Sequence, residues 1–373
     1  MLFLLFLLPG RAVMVFNRWP KPAGPYPVGT RVYHWVDHQR EESFTSDSLD
    51  KREVIAQFWY PTKIAQSTKR AAYFLPVKTG NKSRQNLVLA FVFKYLNFFK
   101  TASYLDAPVL KGRFPLIVFF HGYRGFRGQN TLLMEHLASH GYVVVSLDSL
   151  YETGFVLFSN GRWEWSKTVL PDDYNSPAAE KLYQDWIDIR LADLKFLFKQ
   201  IAVINSSAGF FRQIIDEKKT AVAGHSLGGM TAHKACRQDP RFLACVNLDA
   251  PLGEEELVSH YPPLLEVVAE ETGDPPYFDA IFYKRLNRLL KNLTNIGLAV
   301  VVKDSGHYDF TDLAFIKLPI FDVFGAVGKI SGAKINRLTN EVLLNFFDLT
   351  LKNKKTDYFE KKGWGNPDLI FLN

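Results

Sequence analysis

Hydrophobic positions along the chain fall into two rhythms. The runs Phe114–Phe120 (FPLIVFF), Gly141–Leu147 (GYVVVSL), Phe242–Leu248 (FLACVNL) and Gly297–Val302 (GLAVVV) are apolar at nearly every position. Strands so uniformly apolar are covered on both faces, as in a parallel sheet between helices. Thr220–Ala223 and Pro263–Ala269 read as further strands of this kind. Helical spacing fills the gaps: residues 129–140, Ala178–Ile201, Leu227–Arg237, Tyr283–Leu293 and 333–352. In the second of these, Leu182, Trp186, Ile189, Leu194 and Leu197 form one apolar stripe. Arg31–Asp37 and Val54–Tyr60, the latter stopped by Pro61, predict an antiparallel start to the sheet. The alternation of strands and helices predicts an α/β fold with a mostly parallel central sheet flanked by helices.

Irregular stretches set the expected boundaries. Residues 1–23 read as an N-terminal tail, 24–352 as one domain and 353–373 as a C-terminal tail. Within the first tail, Leu2–Leu8 is wholly apolar, but no Lys or Arg precedes it and Arg11 ends it. A signal-like leader and an irregular start both fit that pattern. Residues 151–178, with Trp163, Trp165, Pro171 and Pro177, lack periodicity and are expected to form a lid-like insertion. Asn86–Lys100 (NLVLAFVFKYLNFFK) is apolar almost all round, with Lys94 and Asn97 as a narrow polar stripe. Such a helix is either buried or meets lipid. No stretch reaches the roughly 20 apolar residues that a membrane-spanning helix needs.

Composition narrows the class. The 373 residues are 47% hydrophobic and 22% charged, which suits a globular protein with a large core. The net charge of +7 favours anionic surfaces such as phospholipid headgroups. No basic run interleaved with aromatics points to nucleic acid. Cys236 and Cys245 are expected as buried free thiols. No His or Cys spacing suits a metal, and no cofactor motif is present.

The chemistry concentrates at Thr220–Met230, TAVAGHSLGGM. Gly224-His225-Ser226-Leu227-Gly228 is a G-x-S-x-G motif between a strand and a helix, the setting of a nucleophile elbow and hence of an α/β-hydrolase fold. The Leu227 N–H would then sit at a helix N-terminus beside the Ser226 hydroxyl, aimed at a developing oxyanion. His121-Gly122-Tyr123, directly after a buried strand, supplies a second such donor, the Tyr123 N–H. A serine needs a base to take its proton, and in this fold the chain order is Ser, acid, His. His307, in a glycine loop after the last central strand, fits the base better than His225, inside the elbow, or His260. Asp249 ends one strand; Glu270, Glu271 and Asp274 follow the next. Order alone leaves the acid open among them.

FFHGYRGFR, EHLASHGYVVVSLD, AGHSLGG, LDAPLG and SGHYDFTD together resemble the plasma-type (group VII) platelet-activating factor acetylhydrolases and their bacterial relatives. GPYPVGT near the start fits the same family, so the resemblance runs from about Gly24 to Lys352. It implies Ser226 as nucleophile, Asp249 as acid, His307 as base, and the Tyr123 and Leu227 N–H groups as the oxyanion hole. It also implies calcium-independent hydrolysis of short or oxidised sn-2 acyl chains of phospholipids, a phospholipase A2 activity. Leu87–Phe99 falls where the family places an interfacial helix, and the same likeness favours a secreted or cell-envelope setting, with a cytoplasmic one as the alternative. The aromatic 151–178 segment is distinctive, which leaves the substrate less defined than the reaction. A broader carboxylesterase, lipase or polyester hydrolase is the rival within the fold. A non-catalytic lipid-binding protein is the rival outside catalysis.

Overall fold

A computed structural model describes residues 19–64, 68–78, 100–160, 162–173, 176–270, 280–316 and 327–372. In chain order its strands are β1 (Val28–Glu41), β2 (Lys51–Pro61), β3 (Arg70–Ala72), β4 (Lys100–Leu105), β5 (Phe114–Phe120) and β6 (Val143–Ser149). They continue as β7 (Phe155–Leu157), β8 (Trp163–Trp165), β9 (Ile215–His225), β10 (Phe242–Leu248), β11 (Leu264–Ala269), β12 (Gly297–Val302) and β13 (Leu369–Leu372). The principal helices are α1 (Thr131–Ser139), α2 (Pro177–Ile204), α3 (Leu227–Gln238), α4 (Ala280–Asn292) and α5 (Gly332–Lys352).

One sheet runs in the order β13-β12-β11-β10-β9-β5-β6-β2-β1-β4-β3. From β6 to β12 neighbouring strands are parallel, and β1 and β2 pair antiparallel as the sequence predicts. The apolar run of β5 is explained by its two faces. Leu116, Val118 and Phe120 enter one core with Trp186, Leu194 and Leu197 of α2 and Phe282 and Leu286 of α4. Ile117 and Phe119 enter the other with Leu133 and Leu137 of α1 and Leu338, Val342 and Phe346 of α5. Successive side chains of a strand point to opposite faces, so only a strand buried on both sides needs an apolar residue at every position. Fully burying each such side chain contributes about 1.5–3 kcal/mol.

The helix ends follow local chemistry. Ser176 caps α2 by accepting the Ala179 N–H at 3.3 Å, with Pro177 at the first helical position. Ser331 does the same for α5, accepting from Lys334 at 3.3 Å, and α5 stops at left-handed Asn353. Asp193 interrupts the apolar stripe of α2 because it is fully buried against Arg52, with Nη2 to Oδ2 at 2.7 Å.

Three expectations need correction. Residues 353–373 are no tail: Leu369–Leu372 pairs with β12, and Tyr358 is fully buried beneath it. Nor does the fold begin at residue 24, since Trp19 donates to Glu135 Oε2 of α1 at 2.7 Å. The 151–178 segment is tied into the body: β7 and β8 form a hairpin, and the Val77 N–H bonds the Leu157 carbonyl at 2.7 Å. An aromatic-rich loop without periodicity hides such a hairpin because three-residue strands are too short to show a period. Residues 86–99, read as an apolar helix, lie outside the described residues, while Lys100 begins β4. No helix among the described residues is long and apolar enough to cross a membrane.

Double coverage of β5 has a direct test. Leu116→Ala and Ile117→Ala, adjacent but facing opposite cores, should each lower unfolding stability by about 2–5 kcal/mol in urea titration. A neutral result at either position would mean that one face is not packed.

Candidate active site

The site forms where the parallel strands end. β9 and β10 pair with His225 opposite Leu248, so Ser226 and Asp249 leave neighbouring strands side by side. Both residues then take the left-handed backbone region, with φ of 57° at Ser226 and 58° at Asp249. A non-glycine residue held there costs on the order of 1–3 kcal/mol and persists only where its surroundings enforce it. At Ser226 the enforcement is visible. Its N–H donates to the Leu248 carbonyl at 2.9 Å, and α3 begins at the next residue. The turn is too tight for side chains at its flanks. A Cβ on Gly224 would lie 2.0 Å from the Gly228 carbonyl oxygen, and one on Gly228 would lie 2.0 Å from that of Phe120.

Asp249 is completely buried, and each of its oxygens has a partner. Oδ1 accepts the Ala269 N–H at 2.6 Å and Oδ2 accepts His307 Nδ1–H at 2.7 Å. The carboxylate therefore fixes which imidazole nitrogen carries the proton and leaves Nε2 as the acceptor. His307 follows β12 and opens a short 3-10 turn, His307–Phe310, closed by the Gly306 N–H donating to Asp309 Oδ2 at 2.8 Å. Its side chain is partly exposed, so one side of the ring faces out of the fold while the other is held by Asp249.

The competing residues go elsewhere. His225 Nε2–H donates to the His307 carbonyl at 2.9 Å, and its Nδ1 accepts from Gln129 at 3.1 Å. Burial and the neighbouring His307 ring hold its pKa well below the usual histidine value, so it stays neutral and braces the His307 backbone. His260 is exposed and bonds only its neighbour Ser259, at 2.9 Å, among the described residues. Glu270 accepts the Asp304 N–H at 2.9 Å and so supports the loop before His307. Glu271 and Asp274 lie outside the described residues.

The 121–125 loop lies against the elbow: a Cβ on Gly122 would sit 3.3 Å from Ser226 Cβ. Among the described residues the Tyr123 and Leu227 N–H groups donate to no other protein group, which leaves both for a ligand. Leu227 adds the positive end of the α3 dipole.

A buried polar chain beneath the acid turn was not anticipated from sequence. Asn247 Oδ1 accepts the Ala250 N–H at 3.0 Å, clasping the residues on either side of left-handed Asp249. Its Nδ2 donates to Glu266 Oε2 at 2.7 Å, and Glu266 Oε1 meets His233 Nε2 at 2.8 Å. Burial pushes the His233 pKa down, but the adjoining Glu266 carboxylate outweighs it and brings the value to about 9. The signal in the sequence is a lone polar residue inside each apolar strand: Asn247 in FLACVNL and Glu266 in LLEVVA.

A family model for platelet-activating factor acetylhydrolase, isoform II, matches residues 199–365, and one for chlorophyllase matches residues 97–154. The platelet-activating factor acetylhydrolase of Canis lupus familiaris is 24% identical over 370 residues, which cover 91% of this chain and 78% of that protein. That of Cavia porcellus is 24% identical over 277 residues, and the match spans only 58% of its length against 65% of this chain. A solved ferulic acid esterase from Streptomyces cinnamoneus superposes with a TM-score of 0.73 at 27% identity, covering 94% of this chain and 98% of its own. The elbow, the parallel sheet and these similarities together give the chain the α/β-hydrolase fold and a likeness to the platelet-activating factor acetylhydrolases.

Proposed function

We propose that the protein is a serine esterase that removes short or oxidised sn-2 acyl chains from phospholipids. The observation that carries the serine-esterase part is the Asp249–His307 bond at 2.7 Å, with Asp249 leaving the strand next to the one that ends in Ser226, a serine held in an elbow at φ 57°. Ser226 Oγ attacks the ester carbonyl while His307 Nε2 takes its proton. The carbonyl oxygen gains negative charge and is met by the Tyr123 and Leu227 N–H groups. His307 then gives the proton to the departing alkoxide, and water, activated by the same nitrogen, releases the acyl group. Asp249 keeps Nδ1 protonated throughout and stabilises the imidazolium.

Relatives named as platelet-activating factor acetylhydrolases, and one from Arthroderma benhamiae named as a probable 1-alkyl-2-acetylglycerophosphocholine esterase, support the lipid reading. Likeness to a ferulic acid esterase over nearly the whole chain favours a second reading, a broader carboxylesterase. Rates on phospholipids with sn-2 chains from acetyl upward, set beside rates on soluble alkyl and aromatic esters, separate the two. The lipid reading predicts highest kcat/KM for short sn-2 chains; preference for soluble esters over every phospholipid would replace it with the second.

The segment Leu87–Phe99, with Phe91, Phe93, Phe98 and Phe99 beside Lys94, is proposed as a contact with lipid aggregates. Two inserted Phe side chains would contribute on the order of 3–5 kcal/mol of binding. Changing Phe98 and Phe99 to Ser should weaken liposome co-sedimentation and slow hydrolysis of aggregated phospholipid, with a small soluble ester unaffected. Equal loss on both substrates together with a lower Tm would instead assign these residues to packing.

Ser226→Ala should leave the protein folded and lower kcat by at least about 10³-fold, because only binding and the oxyanion donors remain. A folded variant that keeps most of the activity would remove Ser226 from the mechanism. Asp249→Asn should cost up to about 10⁴-fold in kcat by favouring the wrong His307 tautomer. If Glu271→Gln or Asp274→Asn is the crippled variant and Asp249→Asn is not, the acid lies one strand later.

A further inference from the structure

The proposed reaction leaves Arg190 without a role, although it is among the largest fully buried side chains of the described residues. It lies on α2 with its side chain only 1% exposed, facing an equally buried Glu152. The pair is two-pronged, Nε to Oε2 at 2.9 Å and Nη2 to Oε1 at 2.7 Å. Desolvation largely offsets the attraction in such a buried pair, so stability alone is a weak reason to keep one. The remaining bonds of the guanidinium point to the 121–125 loop. Nη1 donates to the His121 carbonyl at 2.7 Å, and Nη2 reaches the Gly122 carbonyl at 3.4 Å.

The Gly122 carbonyl gathers further donors. His121 Nδ1–H bonds it at 2.7 Å and the Gly125 N–H at 3.0 Å. A carbonyl oxygen only accepts, so Nδ1 carries the ring proton, and Nε2 is free to accept the Thr153 hydroxyl at 3.1 Å. Burial foremost, and then the nearby Arg190 charge, push the His121 pKa down to about 3, which keeps that tautomer neutral.

The Gly122 carbonyl and the Tyr123 N–H are opposite ends of one planar trans peptide. Donors that fix the carbonyl on one side therefore aim the N–H to the other. The Tyr123 ring is held from the same helix. Trp186, one turn before Arg190, stacks on it with centroids 5.2 Å apart and planes 10° from parallel. One face of α2 thus grips both the ring and the peptide of Tyr123.

We propose that Arg190, backed by Glu152, is the positioning residue of the oxyanion hole, setting the direction of the Tyr123 N–H through the Gly122 carbonyl. The proposal rests on the reading of Ser226 as nucleophile and the Tyr123 N–H as oxyanion donor. Arg190→Lys keeps a cation beside Glu152 but lacks the fork that spans carboxylate and both carbonyls. Thr153→Val leaves the ion pair intact and removes the hydroxyl that holds His121 Nε2, and so loosens the ring whose Nδ1–H shares the Gly122 carbonyl with Arg190. For the wild type and both variants, kcat and KM are measured on a small soluble ester, with Tm and the inhibition constant of a matching trifluoromethyl ketone. Ser226 Oγ bonds the ketone carbon, its proton passes to His307, and the new oxyanion occupies the hole, so the inhibitor reports the hole directly.

Arg190→Lys should lower kcat by about 10- to 100-fold, somewhat less than deletion of a donor outright. KM should stay within about twofold, and ketone affinity should weaken by the same factor as kcat/KM. Thr153→Val should show a smaller loss with the same parallel. A folded Arg190→Lys with unchanged kcat and ketone affinity, or a lower Tm as its only change, would overturn the proposal. If Arg190→Lys does not fold, Glu152→Gln, measured in the same way, decides, because it removes the carboxylate charge that backs Arg190, and unchanged kcat and ketone affinity there overturn the proposal. Wild-type protein that neither hydrolyses the ester nor binds the ketone would defeat the underlying catalytic reading rather than the role of Arg190.

Discussion

The site depends on the register between β9 and β10. With His225 opposite Leu248, the two strands end together, and the Ser226 N–H closes the pair by bonding the Leu248 carbonyl. A slip of one residue would turn every side chain on β10 to the other face and carry Asp249 away from His307. Both strand-end residues sit in a backbone region that disfavours side chains, and each is held there by neighbours rather than by its own preference. Asp249 is clasped by Asn247 and Ala269, while Ser226 is boxed by glycines whose Cβ atoms would strike backbone. Strain at the two positions is thus supported by a sheet packed on both faces.

The elbow and the central strands were legible in the sequence because each has a short-range signature. G-x-S-x-G between a strand and a helix specifies a turn that few other residues permit, and seven consecutive apolar residues in Phe114–Phe120 admit little but a doubly covered strand. His307 could be singled out by its place after the last central strand. The acid was harder. By chain order Asp249, Glu270, Glu271 and Asp274 all follow strand ends, and it was the family resemblance that pointed to Asp249; in the structure Asp249 bonds His307 Nδ1 while Glu270 bonds the Asp304 amide. The edges of the fold were least legible. Leu369–Leu372 is too short to show a period and is a strand because β12 offers an open edge. Arg190 and Glu152 were hidden for a related reason, since partners 38 residues apart leave no mark in a local pattern.

Around the site, buried polar groups serve orientation more than chemistry. His225 holds the His307 backbone, His121 and Arg190 converge on the Gly122 carbonyl, and Asn247 links the acid turn to Glu266 and His233. Each such group is costly in an apolar interior unless fully partnered. They concentrate where the central strands β5, β9 and β10 end, around Ser226 and Asp249. The body that carries them is similar to that of a ferulic acid esterase over nearly the whole chain, while sequence relatives are named platelet-activating factor acetylhydrolases, so the fold alone leaves the substrate undefined.

The central claim is that Ser226 is the nucleophile that His307 and Asp249 activate. The most direct test is to treat the active protein with a serine-reactive phosphonate ester and map the adduct by peptide mass spectrometry. The account predicts a single adduct on Ser226, formed at the rate at which esterase activity is lost. Full inhibition with the adduct on another residue, or full activity retained after Ser226 is modified, would contradict it.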